Sequence, residues 1–257
     1  MKLVILAGGL GSRLSEETIV KPKPMVNIGS KPIIWHIMKY YSFYGINDFI
    51  ICCGYKGEII KDFFYNYFLY SSDIELDYKK KNSLKIINNK SEKWNIKLID
   101  TGIDTMTGGR LKKISRYIKK NENFCMTYGD GLSNINLHHL IKFHSKNKKL
   151  VTMTGVLPQG RFGAVEEKNS IVLNFKEKPT ESNFINGGYF VLNSGIFSFL
   201  KNDQDIWEQE PLKKIVKKRQ LMIFKHKGFW QPMDTLREKN LLTSLWEKNK
   251  APWKKWK

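Results

Sequence analysis

An apolar run that leads directly into glycines is the feature that most constrains the fold of this 257-residue chain. Residues 3–7 read Leu-Val-Ile-Leu-Ala, and residues 8–11 read Gly-Gly-Leu-Gly. A short apolar run bounded by glycine is typical of a buried strand in a parallel sheet. Glycines after such a strand let the backbone approach a ligand closely and leave amide N–H groups free to face an anion. Because ligands bind at the carboxyl ends of strands in open α/β sheets, the pattern predicts a nucleotide phosphate site.

Two cations flank this glycine-rich loop. Arg13 follows it closely, and Lys23 lies within residues 21–25, which read Lys-Pro-Lys-Pro-Met. Fixed guanidinium and ammonium groups are suited to binding phosphates. A glycine cluster after a strand is by itself more typical of a tight turn, but together with these cations it favours phosphate binding.

The loop differs from two better-known phosphate-binding motifs. The dinucleotide-binding fingerprint requires glycine at its first, third and sixth positions, whereas the sixth position counted from Gly9 is Leu14. The P-loop ends in Gly-Lys followed by Ser or Thr, whereas Gly11 is followed by Ser12 and Arg13. The sequence therefore excludes both motifs.

The formal net charge of +20 raises the question of nucleic-acid binding. Only six of the 44 basic residues are arginine, and the lysines are scattered among asparagine and isoleucine, as in residues 79–90. Nucleic-acid-binding proteins instead concentrate Lys and Arg on one face. We therefore interpret the charge as a solvated surface that also steers anionic substrates, and we expect no nucleic-acid partner.

Cysteine usage and hydropathy point to a cytoplasmic protein. Cys52, Cys53 and Cys125 lie in apolar, strand-like runs, and an odd number of such thiols favours buried, reduced cysteines over disulfides or a metal site. No segment approaches the roughly 20 apolar residues of a membrane-spanning helix. The first strand begins directly after Met1, without the layout of a signal peptide. We therefore expect no membrane partner.

Helical and strand patterns alternate along the chain, which predicts an α/β fold with a parallel sheet covered by helices on both faces. The expected strands are 3–7, 48–53, 97–99, 123–128 and 150–156. The expected helices are 57–69, 111–118, 138–144 and an earlier one that opens at residues 30–32, with Pro32 near its first turn, and ends at Gly45. Between residues 162 and 223 the pattern shifts towards shorter strands. A last helix is expected after residue 235, with Leu236, Leu241, Leu242 and Leu245 on its apolar side.

Two aspartates are candidate metal ligands. Asp130 lies between two glycines after the predicted strand 123–128, which places it at the carboxyl edge of the sheet. Asp234 lies in residues 231–235, which read Gln-Pro-Met-Asp-Thr. Mg²⁺ binds through one or two carboxylates together with substrate phosphates. The alternative roles are a turn residue for Asp130 and the N-cap of the following helix for Asp234.

A series of motifs covering essentially the whole chain resembles the sugar-1-phosphate nucleotidylyltransferase family, and most narrowly its glucose-1-phosphate cytidylyltransferases. These motifs are residues 6–14, 21–25, 35–38, 51–57, 100–102, 106–111, 128–131, 160–164, 177–179, 186–188, 207–212 and 228–235. The chain departs from the family pattern at Ser12, where relatives often carry Thr, and in the Lys/Asn-rich stretch 79–93.

This resemblance implies a Rossmann-like α/β fold, with a mixed, mostly parallel sheet sandwiched by helices. We expect a single domain composed of a nucleotide-binding part (1–135), a small sugar-binding part (136–235) and a C-terminal helical extension (236–257). The resemblance further implies transfer of CMP from CTP to α-D-glucose 1-phosphate, with Mg²⁺ as cofactor. It implies a homo-oligomer, with a hexamer among the expected states. CDP-glucose is the entry to the CDP-deoxysugars of bacterial surface polysaccharides such as the lipopolysaccharide O-antigen.

The resemblance also assigns site residues. The expected catalytic residues are Arg13, Lys23 and Asp130, and Asp130 and Asp234 are expected to share the Mg²⁺. The expected nucleotide-binding residues are Leu6, Ala7, Gly8, Gly9, Leu10, Gly11, Ser12, Arg13, Lys23, Thr105, Gly109, Arg110 and Gly129, of which Thr105, Gly109 and Arg110 surround the cytosine. The expected sugar-phosphate-binding residues are Tyr128, Glu177, Lys178, Asn186 and Gly188.

Other functions stay open at this point. A sister nucleotidylyltransferase could use another base or sugar, because phosphate motifs alone do not select the base. A non-catalytic sugar-nucleotide sensor or a basic nucleic-acid-binding protein would come from different classes. The presence of Arg13, Lys23, Asp130 and Asp234 together argues against a sensor without activity.

Overall fold

The computed structural model describes residues 1–11, 14–80, 83–158, 164–168, 171–176 and 184–256 of the chain. Its strands are β1 (Lys2–Leu6), β2 (Asn27–Ile28), β3 (Lys31–Pro32), β4 (Asp48–Cys53), β5 (Ser72–Asp77), β6 (Ser83–Asn89), β7 (Asn95–Asp100), β8 (Asn123–Tyr128), β9 (Gly131–Ser133), β10 (Val151–Val156), β11 (Ala164–Lys168), β12 (Ile171–Lys176), β13 (Ile185–Asn193), β14 (Leu221–His226) and β15 (Trp230–Pro232). Its α-helices are α1 (Ser15–Thr18), α2 (Ile33–Phe43), α3 (Gly57–Tyr70), α4 (Thr107–Lys113), α5 (Leu137–Asn147), α6 (Glu210–Lys217) and α7 (Leu236–Glu247). Short 3-10 helices span Lys23–Met25, Ser115–Tyr117 and Ser194–Phe199.

Seven of the described strands form one central sheet, in the order β14-β10-β13-β8-β1-β4-β7. β1 pairs in parallel with β4 on one side and with β8 on the other. The pairs β4–β7 and β10–β14 are also parallel, whereas β13 runs antiparallel to both of its neighbours, β8 and β10. The sheet is therefore mixed and mostly parallel, as the family resemblance implies, and the carboxyl ends of β4, β1 and β8 lie side by side.

Apolar side chains are buried on both faces of this sheet. Along β1, Leu3 and Ile5 belong to one hydrophobic cluster and Val4 to the other, and all three are fully buried. Because successive side chains of a strand point to opposite faces, a strand covered on both sides reads as an uninterrupted apolar run. Helices α2, α3, α5 and α7 contribute to the first cluster, and α4 and α6 to the second. The layers are therefore helix, sheet and helix.

Helix α4 begins four residues before the predicted start and ends at Lys113, after which Ser115–Tyr117 form a 3-10 turn. The amides of Gly108 and Gly109 donate to the carbonyl of Asp205, at 2.8 and 3.1 Å. Free N–H groups at a helix start need an acceptor. Here a segment about 100 residues away supplies it, so the local sequence gives no sign of this start.

The apolar side of α7 also differs from the predicted one. Leu242 is fully buried and Leu245 is partly buried against the core, but Leu236 and Leu241 are 42% and 44% exposed. The buried stripe runs through Glu238, Leu242 and Leu245, whose spacing of four and three residues follows the helical repeat.

Two further segments depart from the sequence-based expectation. Residues 72–89 contain an antiparallel hairpin of β5 and β6, which their polar composition did not indicate. In the region where the pattern shifts towards shorter strands, β13 has nine residues. The division of the chain into three functional parts stays a prediction.

The C-terminal residues pack on the chain itself. Trp253 is fully buried and stacks on Phe229 and Trp246, with ring centroids 5.7 and 6.5 Å apart. All three cysteines are buried and free, as predicted. No helix in the described ranges is both long and apolar enough to cross a membrane.

Candidate active site

A cavity of about 640 Å³ opens at the carboxyl ends of β1 and β8, where the glycine-rich loop predicts a phosphate site. Many of the expected nucleotide-binding residues line it, namely Leu6, Ala7, Gly8, Gly9, Leu10, Gly11, Lys23, Thr105, Arg110 and Gly129. The backbone of Gly129 is held against the first strand, because its amide donates to the carbonyl of Leu6 at 3.0 Å. The cavity therefore has the place and the backbone lining that the sequence predicts.

Four of the expected residues lie outside the described residues. They are Ser12 and Arg13, at the end of the glycine-rich loop, and Glu177 and Lys178. Their expected roles in phosphate and sugar binding stay predictions.

Lys23 lies between two carboxylates at the wall of the cavity. Its ammonium is 2.7 Å from Asp130 Oδ2 and 2.5 Å from Asp234 Oδ1. The lysine is buried, and the two carboxylates are only partly exposed. Burial alone would lower the pKa of Lys23, but the negative charges of Asp130 and Asp234 outweigh it and hold that pKa above its usual value. Lys23 is therefore a fixed cation that faces both predicted metal ligands.

A short ribbon brings the two aspartates together from positions far apart in the chain. Strand β9, just after Asp130, pairs antiparallel with β15, just before Asp234, so that Gly131 lies opposite Pro232. The amide of Met233 also donates to the carbonyl of Asp130 at 2.8 Å. The ribbon fixes both carboxylates at one edge of the sheet.

Asp234 does not cap helix α7, which was its alternative role. Thr235 is the N-cap of α7: its side chain accepts from the amide of Glu238, and the Glu238 carboxylate accepts from the amides of Asp234 and Thr235. This is a reciprocal capping box. Because it satisfies the helix start, the Asp234 side chain is directed to Lys23 instead.

The pair Asp130 and Asp234 fits a magnesium site that is completed by substrate. Both carboxylates lie within hydrogen-bond distance of the Lys23 ammonium, so the two are close enough together to bind a single metal ion. Within the described ranges, no group of three or more His, Cys, Asp or Glu residues has the geometry of a metal site. Mg²⁺ does not need one, since it binds through one or two carboxylates and phosphate oxygens.

Arg110 lines the cavity, and hydrogen bonds to the protein hold its guanidinium in place. Arg110 is 4% exposed, and its guanidinium donates to the carbonyls of Gly8, Cys53, Gly102 and Ile103, and to the hydroxyl of Thr101, at 2.6–3.2 Å. It thus ties the glycine-rich loop to the segments after β4 and β7. A Cβ at Gly8 would lie 2.1 Å from this guanidinium, so the loop needs glycine there. Arg110 supports the cavity wall, and its donors are directed at the protein.

The other two residues expected around the cytosine are held by residues 203–205. A Cβ at Gly109 would lie 2.4 Å from the carbonyl oxygen of Asp203, so Gly109 packs against that segment and is not among the residues that line the cavity. Thr105 does line it, but Lys113 Nζ donates to its hydroxyl at 3.1 Å. Of the three, Gly109 is the one whose expected contact with the base has no support in its placement.

A second cavity of about 340 Å³ adjoins the first, and Tyr128 and Asp130 line both. Asn186 and Gly188, expected at the sugar phosphate, line it together with Asp234 and Trp230. The amide of Gly188 donates to Asn186 Oδ1 at 2.9 Å, which holds the asparagine side chain. The described part of the expected sugar-phosphate set therefore shares one cavity.

Glu208 is a site residue to which the sequence analysis assigned no role. It lines the second cavity, and its carboxylate accepts from the hydroxyl of Thr107 at 2.8 Å and from the hydroxyl of Tyr128. The signal available in the sequence was its position in the motif 207–212, which contributed to the family resemblance. Its partners lie 80 and 101 residues away in the chain, so the contacts could not be predicted.

Comparison with known proteins places this architecture in a family. Residues 2–235 match the family model described as nucleotidyl transferase. A glucose-1-phosphate cytidylyltransferase of Salmonella typhimurium is 54% identical over 257 residues, which cover 100% of both chains, and one described as probable in Bacillus subtilis is 41% identical with the same coverage. The solved structure of a UDP-glucose pyrophosphorylase complexed with UDP-glucose has the same fold, with a TM-score of 0.68 at 16% identity over 96% of this chain and 98% of that one. The chain belongs to the nucleotidyl transferase family, and its full-length relatives there include glucose-1-phosphate cytidylyltransferases.

Proposed function

We propose that this chain transfers CMP from CTP to glucose 1-phosphate, with CDP-glucose and pyrophosphate as products. The observation that carries the proposal is the 54% identity to a glucose-1-phosphate cytidylyltransferase over the full length of both chains. The geometry is compatible with it, since two adjoining cavities meet at Tyr128 and Asp130, beside Lys23. The larger cavity suits the nucleotide and the smaller one the sugar phosphate.

In the proposed reaction, a phosphate oxygen of glucose 1-phosphate attacks the α-phosphorus of CTP. The new oxygen–phosphorus bond forms as the bond between the α-phosphorus and the bridging oxygen breaks, and that electron pair leaves with pyrophosphate. The attacking phosphate is already ionised at neutral pH, so no general base is needed. The protein contributes mainly by positioning the reactants and by stabilising charge.

The residues of this chain divide that task. The backbone of residues 8–11 faces the triphosphate, and Lys23 supplies a cation where the two cavities meet. We assign Arg13 to the charge on the departing pyrophosphate, on the basis of the family motif alone. Asp130 and Asp234 would hold Mg²⁺, which neutralises phosphate charge when bound.

The test is product formation by the purified chain. CTP and glucose 1-phosphate with Mg²⁺ should give equal amounts of CDP-glucose, identified by mass spectrometry, and pyrophosphate. Asp130→Asn should lower kcat by at least about 100-fold, because preorganised charge is usually the largest single catalytic contribution. Asp62→Asn is the matched control, since Asp62 is an exposed residue of α3. Normal turnover by Asp130→Asn would contradict the assignment of Asp130, and an inactive wild-type chain would contradict the proposed reaction.

We also propose that the chain forms a homo-oligomer through the β5–β6 hairpin. Ile74 lies opposite Ile86 and Leu76 opposite Leu84, so these four side chains share one face, and each is 39–49% exposed. Glu75 and Lys85 pair on the other face. An isolated two-stranded ribbon is marginally stable in water, so an apolar face of this kind favours burial against a second copy.

Light scattering after size-exclusion chromatography tests the oligomer. Ile86→Asp should reduce the molar mass towards the 30.1 kDa of one chain, whereas Lys85→Asp on the opposite face should not. A monomeric wild-type chain, or an unchanged mass for Ile86→Asp, would contradict this interface.

We place the reaction in the cytoplasm, at the start of CDP-deoxysugar synthesis, because the family motifs imply that context.

A further inference from the structure

Glu208 lies where the two cavities meet, and each oxygen of its carboxylate has one partner from a different cavity wall. Oε2 accepts from the hydroxyl of Thr107, which lines the first cavity. Oε1 accepts from the hydroxyl of Tyr128, which lines both. The position of this carboxylate is therefore fixed from two sides.

The segment that carries Glu208 is itself held firmly. The amide of Met106 donates to the carbonyl of Asp203, and the amide of Gly108 to that of Asp205, each at 2.8 Å. The amide of Trp207 donates to the Thr107 hydroxyl at 2.9 Å, which leaves the proton of that hydroxyl for Glu208. A carboxylate on such a support can select among ligands, because its place is set before the ligand arrives.

Tyr128 acts as a hydrogen-bond donor to this carboxylate. A phenol is a much weaker acid than a carboxylic acid, so in this contact the Tyr128 O–H donates and the Glu208 oxygen accepts. An ionised carboxylate only accepts hydrogen bonds, and each of its oxygens has two lone pairs. With one donor on each oxygen, Glu208 retains acceptor capacity in the second cavity, which it lines.

The chemistry of the second cavity indicates which part of a sugar phosphate faces Glu208. A phosphate is attracted to Lys23, a cation of the first cavity that lies beside Asp130, where the two cavities meet, whereas Glu208 is a carboxylate held by two hydroxyl groups. The hydroxyl groups of a hexose are donors that a carboxylate binds well. A bound sugar phosphate therefore places its phosphate towards Lys23 and its ring towards Glu208.

We propose that Glu208 is a specificity-determining residue that accepts a hydrogen bond from a hydroxyl group of the hexose. This inference rests on the proposed function, and it adds a residue that recognises the sugar. Because Thr107 holds the same carboxylate, the sugar contact is made from a position fixed by the wall of the nucleotide cavity.

The test compares Glu208→Gln with the wild-type chain and with Glu210→Gln, which makes the same change at an exposed residue two positions away. Steady-state kinetics with CTP should show kcat/KM for glucose 1-phosphate reduced about 10- to 100-fold in Glu208→Gln, as expected for the loss of a hydrogen bond to a charged group. The KM for CTP should change less than threefold. Glu210→Gln should behave as wild type.

Deoxy analogues separate sugar recognition from a structural role. Glucose 1-phosphates that lack the 2-, 3-, 4- or 6-hydroxyl are compared in both proteins, which forms a double-mutant cycle between residue and substrate. The ratio of wild-type to Glu208→Gln kcat/KM should fall to about one for the analogue that lacks the bonded hydroxyl. A loss of equal size for all four analogues would mean that Glu208 only supports the cavity, and would overturn the inference.

The remaining outcomes are also decisive. An active wild-type chain with an unaffected Glu208→Gln variant would overturn this inference alone. A wild-type chain that turns over no sugar phosphate would overturn the proposed function and this inference with it.

Discussion

At the scale of the residue, Lys23 determines the electrostatics of the site. Its ammonium lies between Asp130 and Asp234, and these two carboxylates hold its pKa up against the effect of burial. Without the ammonium, two carboxylates would face each other in a partly desolvated place. Lys23 therefore stabilises the folded chain as well as supplying charge for phosphates.

Replacing Lys23 should reveal this dual role. Lys23→Met should lower the free energy of unfolding by about 3 kcal/mol, the range expected when one partner of a buried ion pair is removed. Millimolar Mg²⁺ should then raise the Tm of the variant more than that of the wild type, because the cation binds the two carboxylates in place of the ammonium. Lys21→Met, at a surface ion pair with Glu17, is the control for thermal melting. Equal Mg²⁺ shifts in wild type and Lys23→Met would contradict the shared cation site.

His36 should make stability depend on pH. Its Nε2–H donates to the carbonyl of Ile28 at 2.9 Å, and its Nδ1 accepts from Trp253 Nε1 at 3.4 Å. Burial lowers the pKa of His36 to about 4, against a usual value of about 6.5. The unfolded chain therefore binds the proton more tightly, so stability is retained above pH 6.5 and falls as the pH is lowered from 6.5 towards 4.

Urea unfolding from pH 4 to 7.5 measures this contribution. The loss attributable to His36 should reach about 3 kcal/mol near pH 4. His36→Gln should flatten the profile in this range, whereas His139→Gln, at an exposed position, should leave it unchanged. A His36→Gln profile as steep as that of the wild type would show that His36 is not the group responsible.

At the scale of the element, the capping box of α7 connects helix stability to the site. Thr235 caps the helix, and Asp234 is the residue immediately before it. Thr235→Ala should lower the free energy of unfolding by about 1 kcal/mol, the usual effect of losing an N-cap side chain. It should also lower kcat several-fold, because the segment that orients Asp234 is loosened.

Asn136→Ala is the matched control for this prediction. It removes the side-chain cap of α5, where Asn136 accepts from the amide of His139 at 3.0 Å, and none of the cavity-lining residues is changed. Chemical denaturation and pyrophosphate release should show similar destabilisation of both variants but reduced turnover only in Thr235→Ala. Equal turnover by the Thr235→Ala and Asn136→Ala variants would contradict the proposal that the cap of α7 orients Asp234.

The elements also show how far local patterns can be followed. Strands β1, β4 and β8 are short and apolar, and the sequence predicts them to within one residue at each end, whereas only residues 97–99 of the more polar β7 were predicted. The apolar residues of the β5–β6 hairpin alternate with polar ones, as in a half-buried strand, but the Lys/Asn-rich composition of this stretch led to its interpretation as surface. The start of α4 was misplaced because its capping acceptor is the carbonyl of Asp205. The start of α4 thus depends on a contact distant in sequence, and the hairpin has an apolar face that does not pack into the core.

At the scale of the whole molecule, the strand order assembles the site. Placing β1 between β4 and β8 brings the glycine-rich loop beside residues 128–130, and the β9–β15 ribbon adds Asp234. The sequence predicts a phosphate loop and two carboxylates, but not their distances, since strand order is not encoded in local pattern. For the same reason the contacts of Arg110 with the glycine-rich loop, and those of Glu208 with Tyr128 and Thr107, could not be predicted from the sequence.

Base selection is the most direct test of the proposed function. Pyrophosphate release should be measured with glucose 1-phosphate and Mg²⁺, comparing CTP, UTP, dTTP, ATP and GTP at equal concentrations. The account predicts a kcat/KM for CTP at least about tenfold above that for every other nucleotide, since one misplaced donor or acceptor in a base site has at least this effect. Equal or better turnover with another nucleotide would contradict the cytidylyltransferase assignment while retaining the reaction class, and no turnover with any of them would contradict both.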